Sequence, residues 1–133
     1  EALIKRIQKI GSMNNKIHVY NQDTEKWLLE IDNLIPSNSL IYLDPPYYEK
    51  GQGLYRNFYN HQDHKSIKEK LVKVKTPWVV SYDNNQNIRD IYQQYRQEEY
   101  ILNYSASKKM KATEVIIYSD SIKLPHRTLA ISN

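Results

Sequence analysis

Asp44, Pro45, Pro46 and Tyr47 follow directly on the apolar run Leu40-Ile41-Tyr42-Leu43, which reads as a buried strand. A carboxylate, two rigid prolines and an aromatic ring, presented in that order at the C-terminal end of a strand, can hold an amino group. The exocyclic amine of a nucleobase is a feeble nucleophile because its lone pair is delocalised into the ring. Two hydrogen-bond acceptors aimed at its N–H groups draw it toward a tetrahedral, reactive geometry. The Asp44 carboxylate can be one acceptor and the backbone carbonyl of Pro45 the other, its direction set because Pro46 confines the residue before it to extended conformations. Proline also fixes its own φ and has no N–H, so the segment leaves the sheet as a stiff arm with no ladder bond to lose. Tyr47 offers a face on which a base swung out of a duplex can stack. Acceptors and a stacking surface held in place are preorganisation, and no covalent intermediate is needed. The string arises by chance on the order of once in a thousand chains of this size or less. The competing reading is a rigid turn, with Asp44 as its starter and Tyr47 as a surface aromatic.

An arm of this kind needs a scaffold. Lys16 to Tyr20 alternates apolar and polar positions and ends at Asn21-Gln22-Asp23, which predicts a short strand and a loop. Trp27, Leu28, Ile31 and Leu34 recur at helical spacing from Thr24, with Asp23 or Thr24 as the cap. Pro36-Ser37-Asn38 breaks the chain before a strand over 39–43. A helix is expected over about 62–74, a strand over 78–82 after Pro77, and a helix near 86–95. Strands over 100–104 and 114–118 follow. Strands alternating with helices predict an α/β, doubly wound, mostly parallel sheet, and the last two strands, with only a loop between them, a terminal antiparallel pair. Ligands of such sheets bind outside the carboxyl ends of the strands. Asp23, Asp44 and Asp83 stand at such ends, which places the expected site there, although Asp83 resembles a turn or cap residue.

With 133 residues the chain can bury one modest core, so one domain is expected. The net charge of +4 favours a polyanionic partner. Lys65, Lys68, Lys70, Lys73 and Lys75 surround a helix whose apolar stripe is Ile67, Leu71 and Val74, the pattern of a solvated face. Lys108, Lys109 and Lys111 fall in a loop ahead of a strand, where phosphate contact and simple solvation compete. Two glycines, Gly51 and Gly53, lie in the loop that also holds Tyr55, Arg56, Asn57, Phe58 and Tyr59, an aromatic and basic combination suited to phosphates or bases. His61 and His64 have a spacing that could hold a metal, but no third ligand accompanies them, so capping and packing are expected and no metal. The absence of Cys excludes disulfides and thiolate metal sites and agrees with a cytoplasmic location. No apolar run approaches a membrane span. The chain opens on Glu1 rather than Met, the start expected of a piece of something longer.

Leu43 to Tyr48, the following Lys50 to Tyr59, the stretch His61 to Leu71 and the later Trp78-Val79-Val80-Ser81-Tyr82-Asp83 together resemble adenine-specific DNA methyltransferases of the Dam-related D12 class. The resemblance is to an order of segments and runs from about Ile17 to Tyr118. It implies a Rossmann-like methyltransferase sheet and transfer of a methyl group from S-adenosylmethionine to N6 of adenine in double-stranded DNA. It implies catalytic roles for Asp44, Pro45, Pro46 and Tyr47, and cofactor contacts by Asp44 and by Asp23, for which capping of the next helix remains the alternative. It also tips Tyr55, Arg56 and Asn57 toward a loop that contacts DNA. The family carries a Phe-x-Gly-x-Gly turn that cradles the methionine part of the donor, followed by a sequence-reading region; the turn and most of that region are not found here. The chain therefore resembles the C-terminal, catalytic half, with the N-terminal half as an expected partner. Two alternatives are a non-catalytic DNA-binding remnant or subunit of a split enzyme, and an enzyme acting on another planar amine such as RNA adenine, cytosine N4 or glutamine.

Overall fold

The computed structural model describes residues 2–49, 58–103 and 111–123. Within them the chain forms helix α1 (Ala2–Gly11), helix α2 (Thr24–Leu34), strand β1 (Ile41–Leu43), helix α3 (His61–Leu71), strand β2 (Trp78–Asp83), helix α4 (Gln86–Ile91) and strands β3 (Arg96–Asn103) and β4 (Lys111–Tyr118). The strands make one sheet in the order β1-β2-β4-β3. β1 pairs with β2 in parallel, while β4 lies antiparallel to both β2 and β3. The terminal antiparallel pair is as expected, but parallel pairing is confined to β1 and β2, because the β3–β4 hairpin folds back to insert its second strand beside β2.

Helices α2, α3 and α4 each begin where a short polar side chain can satisfy open N–H groups. Asp23 accepts from the Lys26 N–H at 3.0 Å. Asn60 accepts from Gln62 and Asp63 while the Asp63 carboxylate returns to the Asn60 N–H, a complete capping box. Asn85, not Asp83, caps α4. That helix is shorter than its periodicity suggests, since the Gln97 side chain donates to the carbonyls of Arg89 and Tyr92 and turns the chain into β3. β3 begins at Arg96, four residues before the apolar signal, because its first residues are charged and pair with the register of β4.

Period-two alternation divides β2 between two environments. Trp78, Val80 and Tyr82 face Leu28 and Ile31 of α2, Ile67 and Leu71 of α3, and Ile88 and Tyr92 from α4, with Ile41, Val115 and Ile117 completing one core. Fully burying a side chain such as Ile67 or Val80 contributes about 1.5–3 kcal/mol. α2, α3 and α4 all pack on this one face of the sheet. Ser81 and Asp83 point to the other face together with Glu114 and Ile116, their partners in register on β4. No helix among the described residues packs there, so the doubly wound expectation is met on one side only.

Two further expectations are corrected. Residues 16–20 make no strand, since Ile17, Val19 and Tyr20 are exposed and have no ladder partner among the described residues. β1 is not buried throughout: Ile41 is inside, whereas Tyr42, at the sheet's outer edge, is 60% exposed.

Candidate active site

Asp44 is the first residue beyond β1, and the register that sets Leu43 beside Val80 brings it alongside Ser81. The Ser81 hydroxyl, 2% exposed, donates to Asp44 Oδ1 at 2.9 Å and lies 2.8 Å from the Tyr42 hydroxyl. Serine has one proton to give, so with that proton on Asp44 it is Tyr42 that donates to Ser81. A two-step chain of hydroxyls thus orients a carboxylate that is itself exposed. Oδ2 of Asp44 has no hydrogen-bond partner among the described residues.

The arm is then tied down beyond its prolines. The Tyr47 hydroxyl donates to Glu114 Oε1 at 2.7 Å, and the hydroxyl of Tyr100 on β3 donates to Glu114 Oε2. Asp83 accepts from two consecutive backbone N–H groups, Tyr48 at 2.8 Å and Glu49 at 3.1 Å. Asn85 donates to the Glu49 carboxylate at 2.7 Å. Burial, and next the Glu114 carboxylate, push the Tyr100 phenol above its ordinary range, so it stays a donor at neutral pH.

Behind the arm stands a cluster of rings. The Tyr48 hydroxyl is 2.9 Å from His61 Nδ1, and Tyr48, Tyr59 and Tyr82 all pack against the ring of His64, which is fully buried. His64 Nδ1 lies 3.2 Å from the Tyr82 hydroxyl. Burial holds the imidazole below its ordinary pKa, against the opposing pull of Asp83 and Asp63, which keeps it neutral. Desolvation likewise raises Tyr82 and Tyr92. The two histidines are thus engaged in helix entry and ring packing. Among the described residues no three His, Cys, Asp or Glu side chains gather as a metal site.

A small cavity of about 140 Å³ opens beside the carboxylate, lined by Thr24, Tyr42, Leu43, Asp44, Pro45, Tyr59 and Ile67. Thr24 also borders a pocket of about 270 Å³ formed with Tyr20, Gln22 and Trp27. A larger shallow hollow of about 570 Å³ between α3 and α4 is lined by charged side chains such as Lys65, Lys68 and Asp90 and by none of the arm residues.

Of the residues singled out from the sequence, Asp44, Pro45, Pro46 and Tyr47 lie together on the arm. Asp23 caps α2 next to the Thr24 pocket and does not follow a strand. Lys111 opens β4 rather than sitting in a loop before it. Tyr55, Arg56, Asn57, Lys108 and Lys109 lie outside the described residues. Asp83 is not the helix cap; its carbonyl accepts from the Asn85 N–H in the turn into α4, and its carboxylate anchors the arm's backbone. Ser81 and Glu114 escaped notice, although the alternation of 78–83 puts Ser81 and Asp83 on one face; only the strand register adds Glu114 to them.

Comparison with curated protein sequences gives no significant match. Comparison with protein families matches residues 1–110 to the D12 class N6 adenine-specific DNA methyltransferases, a span holding the arm, its serine and aspartate anchors and the ring cluster. With most of its length so matched, the chain belongs to the D12 class N6 adenine-specific DNA methyltransferase family.

Proposed function

We propose that the arm from Asp44 to Tyr47 receives an adenine flipped from double-stranded DNA and activates its N6 for methylation. The observation that supports this best is the contrast within the arm: its backbone and its tyrosine are anchored, while the exposed Asp44, oriented through Oδ1 by Ser81, has no partner for Oδ2 among the described residues. Asp44 and the Pro45 carbonyl accept the two N6–H groups, and Tyr47 stacks on the purine. Because Ser81 already holds Asp44, little reorganisation is required when the amine arrives.

S-adenosylmethionine is the donor the family implies, and it supplies an electrophilic methyl group on a sulfonium sulfur. The residues present suit one end of it. Tyr20, Gln22, Thr24 and Trp27 offer a ring-lined pocket adjoining Asp44, and a carboxylate beside that pocket suits a cationic ligand. Asp23 would serve the adenosine end from the rim. No glycine turn for the methionine end is found in the sequence.

A further protein surface that covers this chain's exposed apolar side chains is the second part of the proposal. It is supported by the exposed apolar side chains concentrated before the arm, among them Leu3, Ile4, Ile7 and Ile10 along α1, Val19, Tyr20 and Leu40. In this arrangement the chain carries the catalytic arm and works in the cytoplasm.

Transfer of a tritiated methyl group from S-adenosylmethionine to DNA, RNA and protein acceptors tests the assignment. Label in adenine N6 of DNA is the expected result. Label only in RNA, cytosine N4 or glutamine would move the chemistry to another amine.

A further inference from the structure

Asp83 and Glu114 stand directly opposite each other on antiparallel neighbours, two carboxylates in one cross-strand pair. Like charges so placed destabilise a sheet, and an apolar pair would serve the fold better. Both carboxylates are nonetheless saturated, and the groups that saturate them come chiefly from the arm: two backbone N–H groups on Asp83, and the Tyr47 hydroxyl on Glu114. Glu114 is 7% exposed and is itself fixed by Tyr100, its own register partner on β3. An acid kept at the centre of a sheet, against the interest of the sheet, and divided between a structural tyrosine and the arm's tyrosine has a task on the arm.

We propose that Glu114 is a positioning residue that aims the Tyr47 ring. The prolines and Asp83 fix the arm's backbone on either side of Tyr47, but they leave χ1 of that residue unset. The phenolic oxygen lies on the long axis of the ring, so a bond there fixes where the ring points. The in-plane preference of the O–H group then favours one ring plane. Tyr100 holds the carboxylate from the far side, and the fork keeps its direction when Tyr47 is loaded by a stacked base. The role in base capture rests on the methyltransferase assignment, whereas the fork itself does not.

The test separates the two. NMR of the folded chain reads the slowly exchanging phenolic protons: Tyr47→Phe should remove one downfield signal, Tyr100→Phe a second, and Glu114→Gln should shift both upfield, since a neutral acceptor makes weaker bonds. Base capture is read with a duplex carrying 2-aminopurine opposite an abasic site, whose fluorescence reports unstacking. Tyr47→Phe should lower capture about tenfold, the equivalent of one charge-assisted hydrogen bond. Glu114→Gln should lower it less, and the double variant no more than Tyr47→Phe alone. Melting temperature should hold or rise in Glu114→Gln as the repulsion from Asp83 is relieved, the reverse of what a merely structural residue would give. The proposal is overturned if the phenolic signals ignore Glu114→Gln, or if that substitution lowers capture equally when Tyr47 is already Phe. If the signals respond but the wild-type chain captures no base, the fork stands and the base-stacking role falls together with the proposed function.

Discussion

At the Asp44 side chain, orientation and exposure are supplied by different neighbours. Ser81 takes one oxygen and points the carboxylate, while the position of Asp44 just past β1 leaves the residue exposed. His64 shows the opposite arrangement, a titratable ring with no access to water, packed among Tyr48, Tyr59 and Tyr82. No side-chain partner for its Nε2 is found among the described residues, and burial opposes charging the ring. The folded pKa lies below the unfolded value of 6.5, so the unfolded chain binds more protons over that interval. Stability is therefore full above about pH 6.5 and falls as pH drops from there toward the folded pKa. Asp83, Asp63, His61 and Tyr59 also bear on this ring, so the wild type should be compared with His64→Phe. We expect urea unfolding of the variant to lose less stability between pH 6.5 and 5 than the wild type, at a constant cost of about 1 kcal/mol for the lost Tyr82 contact. Identical pH slopes would assign the dependence to other groups.

Among the elements, α2 carries a single residue with two claims on it. Asp23 caps the helix through Oδ1 and borders the pocket of Tyr20, Gln22 and Trp27 by its neighbour Thr24. Asp23→Ala should cost about 1 kcal/mol of stability from the cap alone. If Asp23 also serves the donor, calorimetry should show S-adenosylmethionine affinity falling about tenfold, and Asp23→Ser, a good cap without a charge, should restore stability but not affinity. Full restoration of both would make Asp23 a cap and nothing more. The same contrast shows how far local signals reach. The cap at 23, the apolar stripe of α3 and the arm itself were legible because each is set by residues within a few positions. The missing strand at 16–20 was not, since alternation marks a segment able to pair but cannot supply its partner. Nor were the anchors of the arm legible. Ser81 lies 37 positions from Asp44 and Glu114 lies 67 from Tyr47, and they meet only through the strand order β1-β2-β4-β3.

For the molecule as a whole, the sheet divides its work between faces: one side buries the core against α2, α3 and α4, and the other carries the acids that hold the arm. α1 buries none of its residues although Leu3, Ile4, Ile7 and Ile10 make an apolar stripe, and no described helix is long and apolar enough to cross a membrane. The exposed stripe of α1 suits a protein partner. We expect S-adenosylmethionine to bind this chain at least about tenfold more weakly than it binds the chain joined to a glycine-turn half, a difference of about 1.4 kcal/mol in calorimetric titration. Equal affinities would show that the donor pocket is complete here. The central claim, that the Asp44 carboxylate activates adenine N6, is tested most directly by mass spectrometry of nucleosides from DNA incubated with S-adenosylmethionine and either the wild-type protein or Asp44→Ala, in the presence of the donor-binding half. We expect N6-methyladenine with the wild type and a loss of at least about a hundredfold with the variant, whose fold is unchanged by circular dichroism. Near-normal N6-methyladenine from Asp44→Ala would contradict the account.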